Sequence, residues 1–152
     1  MDWSFQEKSI CGSLVVTAGL FSYYFLKVFE VLASGTSSAV YGLPFVLIGV
    51  IIAMVVVEVV YHVLIALRSE PETEDERDRL IEARATRYSY FVLVAGCVTT
   101  VGHAMFAGFF DAAGQADLLH SPIMITNFII LSFVLAEVVG FAMQLYYYRR
   151  GI

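Results

Sequence analysis

The sequence predicts an all-α integral membrane protein, folded as a four-helix transmembrane bundle. Hydrophobic residues make up 59% of the 152 residues, charged residues make up only 15%, and the mean hydropathy is +0.78. A soluble domain of this length could not bury so much apolar surface. Four apolar stretches are each long enough to cross a hydrocarbon core about 30 Å thick, which requires about 20 helical residues. We therefore expect a single membrane domain over residues 1–152.

The predicted spans are Ser9–Ala33, Leu43–Leu67, Tyr88–Phe110 and Pro122–Tyr147. The first is too long for the apolar core of a signal peptide and no basic segment precedes it, so we expect it to be retained. Proline stands in the first turn of the second and fourth spans, where its missing N–H is tolerated. None of the stretches alternates between apolar and polar residues, which excludes the strands of a transmembrane barrel.

The basic residues predict the orientation of the spans. All but one of the nine fall on the same side of the four-span layout, and Lys27, near Glu30, is the exception. The eight are Lys8, Arg68, Arg77, Arg79, Arg84, Arg87, Arg149 and Arg150. The two loops on the other side, residues 34–42 and 111–121, contain no Lys or Arg. By the positive-inside rule, both termini and the central loop 68–87 are cytoplasmic.

Two glutamates, Glu58 and Glu137, lie near the middle of the second and fourth spans, each followed by Val-Val. A shift of the chain by 79 residues superimposes the two triplets and also places Lys8 on Arg87 and Gly35 on Gly114. This correspondence predicts two helical-hairpin repeats. Because each half has two spans, the repeats would be parallel and related by an axis along the membrane normal.

Helical spacing predicts a polar or small-residue stripe on each span, which we expect to face the interior of a compact bundle. The first stripe contains Thr17 and Tyr24, and the second contains Glu58 with His62 four residues later. The third stripe contains His103. The fourth contains Glu137 and Gln144. Counting about 1.5 Å per residue from the cytoplasmic ends places the two glutamates and Thr17 at similar depths.

A carboxylate at the centre of a bilayer costs about 2.5–3.5 kcal/mol on insertion scales, so the glutamates need an explanation. One interpretation is structural, with each glutamate hydrogen-bonded across the bundle. A second is proton or cation transport, since buried carboxylic acids can titrate near neutral pH and His62 could relay protons to the cytoplasm. A lipid- or quinone-binding cleft is the third.

The sequence does not predict a metal site or a cofactor. His62 and His103 are too far apart along the membrane normal to share one ion, and a di-iron bundle would use Glu-x-x-His rather than the spacing of Glu58 and His62. There is no phosphate-binding loop, no nucleophile elbow and no basic stripe for nucleic acid. We therefore expect that the protein is not an enzyme.

The central loop combines acidic and basic residues with good helix formers, and Thr73 or Asp75 could cap a helix there. Its run Asp75-Glu76-Arg77-Asp78-Arg79-Leu80-Ile81 resembles a loop in small, uncharacterised bacterial inner-membrane proteins with four spans. The resemblance implies a bacterial inner membrane and supplies no activity. Two interpretations of the loop remain: a solvated connector, or a docking surface for a cytoplasmic partner formed by Asp75, Glu76, Arg77, Asp78 and Arg79.

The interpretation that we favour is a small proton- or ion-coupled membrane protein that uses Glu58 and Glu137. The alternative is a structural or regulatory subunit that acts through its cytoplasmic loop and an oligomer interface. The expected partners are the lipid bilayer, a second copy of the chain in a homodimer, and a cytoplasmic protein. The substrate is not predicted.

Overall fold

The computed structural model describes residues 4–68, 75–112 and 118–151, and within these ranges the chain is helical with no β-strand. The four long helices are α1 (Phe5–Ser34), α2 (Leu43–Arg68), α3 (Glu76–Ala112) and α4 (Pro122–Arg150). Short 3-10 turns at Ser37–Gly42 and Leu118–His120 precede α2 and α4. All four helices are long and apolar enough to span a membrane.

Local sequence signals set the helix ends. The Ser4 hydroxyl accepts a hydrogen bond from the Glu7 N–H, and the Glu7 carboxylate accepts one from the Ser4 N–H, which forms a capping box at the start of α1. That helix ends at Gly35, whose φ of 62° is the left-handed conformation that glycine adopts without strain. Ser121 caps α4, and Pro122 fills its first turn.

Asp75 caps α3 through a reciprocal pair of bonds with Asp78, at 2.8 and 3.1 Å. The helix therefore begins inside the predicted central loop and continues without a break into the third span. Thr73, the other predicted cap, lies outside the described residues.

The helices pack in the order α2–α1–α4–α3, with α1 and α4 inside. Close contacts join neighbours in this order, whereas α2 does not pack extensively against α3 or α4. The arrangement is thus more open than the compact bundle that we expected. It also lacks twofold symmetry, because the α1–α4 contact has no matching α3–α2 contact. The repeat in the sequence stays a prediction.

The main apolar core lies between α1, α2 and α4, on the half of the molecule away from the helix ends that carry most of the arginines. Its buried members are Phe21, Tyr24, Val28, Val40, Leu43, Val50, Met124 and Val134. Leu43 and Val50, both in this core, are the only buried residues of α2, and most of the rest of the helix is exposed. An apolar helix exposed to this extent would be unstable in water.

Candidate functional site: a groove with two carboxylates

Contacts between α1 and α2 fix the register of these two helices. The Tyr61 hydroxyl donates to the backbone carbonyl of Lys8 at 2.7 Å, and its ring covers Gly12. The adjacent His62 has Nδ1 at 3.3 Å from the Ser9 hydroxyl and Nε2 at 3.3 Å from the Ser13 hydroxyl. Because the helices are antiparallel, one turn back along α2 corresponds to one turn forward along α1. Because His62 lies between Ser9 and Ser13, Glu58 is level with the turn from Ser13 to Thr17.

A second contact fixes the register of α1 and α4. The buried Tyr24 hydroxyl donates to Asn127 Oδ1 at 2.5 Å. Glu137 lies ten residues after Asn127 on α4, which corresponds to ten residues before Tyr24 on the antiparallel α1, at Leu14. Leu14 and Thr17 are about 4.5 Å apart along the helix axis. The contact of His62 with Ser13 and the contact of Asn127 with Tyr24 therefore place Glu58 and Glu137 at similar levels along α1.

The helical phase of Glu137 shows which side of the molecule it faces. Asn127 faces α1, and Ala136 contacts α3. Viewed along the axis of α4, Glu137 lies about 80° from Asn127, on the edge of the helix opposite Leu135. Leu135 lines an apolar groove between α1 and α4. Phe25 of α1 lines the same apolar groove. It lies on the side of α1 opposite Gly12, which contacts Tyr61 of α2. Glu137 and α2 are thus on the same side of the molecule.

Glu58 faces the same space from the α2 side. Ser13 lies on the same stripe of α1 as Tyr24, and this stripe faces α4. Because His62 contacts Ser13, it lies on the edge of α2 that is nearest α4. Glu58 lies one turn before His62 on that edge. We call the space bounded by α2 and α4 and floored by α1, into which both glutamates face, the carboxylate groove.

The burial of the predicted residues differs from expectation at several positions. Thr17 and Tyr24 are buried, at 1% exposure each, as predicted. Glu58, His103 and Gln144 are only half-buried, and the predicted burial of Glu137 and His62 is wrong, because both are exposed. The reason at Glu137 is that α4 contacts α1 and α3 with opposite faces, so a third face between them stays open.

The interior of the α4 interfaces is formed by residues outside the predicted stripe. Asn127 and Ser132 are buried, and Gly140 lies against Ser89. Each of these polar side chains satisfies its hydrogen bonds with the backbone or with Tyr24, which is common for polar residues between apolar helices.

Neither glutamate forms a hydrogen bond or an ion pair with any residue in the described part of the chain, and the buried Thr17 hydroxyl also lacks a partner there. Polar groups continue from the glutamates toward the helix ends that carry the arginines. On α2 the next polar group is His62, which contacts Ser9 and Ser13. On α4 it is Gln144, which lines a small polar cavity of about 160 Å³ with Gln6, Asp78 and Tyr148.

Toward the other end of the helices the groove is apolar. Leu20, Met54 and Ile130 occupy the next level on α1, α2 and α4, and all three pack against the apolar core. Along the helix axes, the residues next to the two carboxylates are therefore polar toward the arginine-rich ends and apolar toward the opposite ends.

His103 is separate from this groove. Its ring stacks on that of His120, with centroids 5.2 Å apart, and its Nε2 lies 3.3 Å from the carbonyl of Leu119. His120 could not be predicted from helical periodicity, because it stands in the short turn before α4. Within the described ranges no three His, Cys, Asp or Glu side chains are grouped to hold a metal ion.

Most of the predicted docking residues have contacts within the chain. The Tyr148 hydroxyl donates to Asp78 at 2.7 Å, and Arg77 Nη2 donates to the Tyr148 carbonyl at 3.3 Å, so the start of α3 is attached to the end of α4. Asp75 caps the helix. Glu76 and Arg79 are exposed. A role of this segment in docking stays a prediction.

Comparisons of the chain with protein-family models, with curated proteins and with solved structures found no match.

Proposed function

We propose that the four helices span a bacterial inner membrane and that the arginine-rich ends are cytoplasmic. The support is the distribution of charge, because Lys27 is the one basic residue away from these ends and it is paired with Glu30 at 2.8 Å. The exposed apolar surface of α2 would then face lipid, which has no cost in a bilayer.

Within this membrane protein the carboxylate groove would bind and release protons for coupled transport. The observation that carries the proposal is the common depth and common side of Glu58 and Glu137, with polar groups toward the cytoplasm and an apolar layer beyond. The arrangement resembles a half-channel that is open to the cytoplasm.

The surroundings of His62 suit a proton relay. A serine hydroxyl can donate or accept, so Ser9 and Ser13 can hydrogen-bond both the neutral and the protonated imidazole. The ring can therefore change its charge without losing a hydrogen bond. It also lies one turn closer to the cytoplasm than Glu58, as a relay requires.

The test is proton flux into proteoliposomes under an imposed pH gradient. We expect the wild type to dissipate the gradient and the Glu58→Gln, Glu137→Gln double variant to lose this activity, because an amide cannot carry the proton. Glu30→Gln is the matched control, since Glu30 is also on a spanning helix but lies outside the groove, and it should retain the flux. Equal flux in the wild type and the double variant would contradict the proposal.

Lipid or quinone binding is the second candidate function, favoured by the apolar groove between α1 and α4. It has a volume of about 420 Å³ and is lined by Phe21, Phe25 and Phe128, with Asn127 as a polar member. A narrow apolar groove at the surface of a membrane protein fits an acyl or isoprenoid chain. Ala18→Phe should fill this groove and reduce the lipid or quinone that copurifies, measured by mass spectrometry, whereas Ala83→Phe on the exposed surface of α3 should not.

A further inference from the structure

A cavity of about 470 Å³ lies at the arginine-rich ends of α3 and α4. We call it the arginine pocket. None of the residues that line it is acidic, and two of them are basic. They are Arg84, Arg87, Tyr88 and Phe91 of α3 and Tyr147 of α4.

The two guanidinium groups of the arginine pocket are not neutralised within the chain. Neither forms an ion pair with an acidic residue of the ranges 4–68, 75–112 and 118–151. Arg84 lies over the ring of Tyr147, with Cζ 6.0 Å from the ring centroid. Residues three apart on a helix are neighbours on its surface, and a guanidinium group binds phosphate through paired N–H donors. Arg84 and Arg87 can therefore hold one phosphate group between them.

Acidic and basic residues alternate along the start of α3, but the helix separates them in space. Viewed along the axis, Glu82 lies about 160° from Arg84. With Asp78 it lines the small polar cavity on the other side of α3, which also contains Gln6 of α1. Glu76 lies nearer the arginine side, but about 12 Å from Arg84 along the axis. The arginine pocket therefore keeps a net positive charge, which an anionic ligand complements.

The level of the arginine pocket along the helices favours a lipid over a dissolved anion. Arg87 directly precedes the predicted third span, so the pocket lies where that helix would leave the hydrocarbon core. Tyr88 and Tyr147 are of the residue type that is enriched at this boundary. Basic pockets between spanning helices on the cytoplasmic side bind anionic lipid headgroups.

An apolar groove continues from the arginine pocket along the same side of α3. Ala95 lies eleven residues after Arg84, within about 20° of its direction. With Leu135 of α4, Ala95 lines a groove of about 360 Å³ between α3 and α4. Polar side chains also line this groove, but three of their hydroxyl groups donate to backbone carbonyls at 2.8–2.9 Å, so they need no polar ligand. These belong to Thr99, Thr100 and Ser132. The groove suits an acyl chain.

We propose that the arginine pocket binds an anionic phospholipid of the cytoplasmic leaflet, with its phosphate between Arg84 and Arg87 and an acyl chain in the groove between α3 and α4. This inference rests on the proposed membrane orientation and is independent of proton transport by the glutamates. Two unpaired guanidinium groups favour a headgroup with net negative charge, such as phosphatidylglycerol. In phosphatidylethanolamine the ammonium group offsets the phosphate. The groove between α1 and α4 is a different site, because no basic residue lines it.

The test is titration of the purified full-length protein in detergent with phosphatidylglycerol, with the bound lipid counted by native mass spectrometry. We expect phosphatidylglycerol to bind at least about tenfold more tightly than phosphatidylethanolamine with the same acyl chains. The Arg84→Gln, Arg87→Gln variant should lose this preference. Arg68→Gln, Arg79→Gln is the matched control, because it removes the same charge from the same end of the molecule but outside the pocket. It should keep the preference.

Two further arms test the acyl chain. Ala95→Phe should fill the groove between α3 and α4 and weaken phosphatidylglycerol binding, whereas Val98→Phe, on the exposed surface of α3 outside the groove, should leave it unchanged. Glycerol 3-phosphate carries a phosphate group without acyl chains, and it should not displace the lipid.

The outcomes separate this inference from the proposed function. Equal binding of the two lipids by the wild type would overturn the lipid site, even if proton flux through the glutamates is found. Equal loss of the preference in both arginine variants would overturn it too, since it would show attraction to the overall charge of this end. Displacement of the lipid by glycerol 3-phosphate at low concentration would show a site for soluble phosphates and contradict the proposed class of ligand. A preference that depends on Arg84 and Arg87 would support the lipid site whether or not the protein conducts protons.

Discussion

At the scale of single residues, the contact of α1 with Tyr61 of α2 depends on Gly12. A Cβ atom at this position would overlap the Tyr61 ring. The absence of a side chain lets Tyr61 reach the Lys8 carbonyl and places His62 between Ser9 and Ser13. Small residues at helix contacts are typical of membrane bundles, because they allow the backbones to approach closely.

We predict that Gly12→Ala destabilises the protein by about 1–3 kcal/mol, the usual cost of an overpacked contact, because the Tyr61 ring must move and lose its hydrogen bond. Thermal unfolding in detergent should show a lower midpoint. Gly19→Ala is the control, since a Cβ atom at Gly19 meets nothing within 4 Å. It should be neutral or stabilising by up to about 1 kcal/mol, because alanine favours a helix over glycine. Equal destabilisation by both substitutions would contradict this account of Gly12.

At the scale of the helices, α4 organises the molecule because it contacts two neighbours with opposite faces. Its α3 face is built from small residues, with Ser132 against Gly96 and Gly140 against Ser89. The Ser89 hydroxyl donates to the Ala136 carbonyl at 2.6 Å, which joins the two helices directly. At the arginine-rich end Tyr148 attaches α4 to the cap of α3 through Asp78.

We predict that Tyr148→Phe destabilises the start of α3 by about 1.5 kcal/mol, the lower value for a hydrogen bond to a charged group. Tyr146→Phe should have little effect, because Tyr146 is exposed and its contact with Arg150 involves the ring, which phenylalanine retains. Hydrogen exchange of the amides at residues 76–82 would measure the difference. Unchanged exchange in Tyr148→Phe would show that the contact with Asp78 does not hold this end of α3.

At the scale of the whole molecule, the orientation in the membrane determines which end of the carboxylate groove faces the cytoplasm. We predict that a cysteine at Thr36 is labelled by a membrane-impermeant maleimide from the periplasmic side, whereas a cysteine at Glu82 is labelled only after the cells are opened. Cys11→Ser and Cys97→Ser provide the background for both variants. Labelling of Glu82→Cys in spheroplasts would reverse the orientation and place the polar access on the outside.

Several features of the fold could be predicted from particular residues. The long apolar stretches around Val28, Val55 and Val134 indicate helices of membrane-spanning length, since their composition and extent suffice. Ser121 and Pro122 mark the start of α4, and the acidic residues from Asp75 mark the start of α3. The similar depth of Glu58 and Glu137 follows from counting residues along helices of regular rise.

The sequence by itself therefore determined the four long apolar helices and the similar level of Glu58 and Glu137 along them, because these depend on local composition and on helix geometry. Only the tertiary structure decided that α1 and α4 are the inner helices, that Glu137 is exposed on the face of α4 between its contacts with α1 and α3, and that His62 contacts the serines of α1. Helical periodicity shows which residues share a face but not which face meets a neighbour. That choice depends on which backbones can approach closely, and here it is set by contacts such as Gly12 with Tyr61 and Gly96 with Ser132.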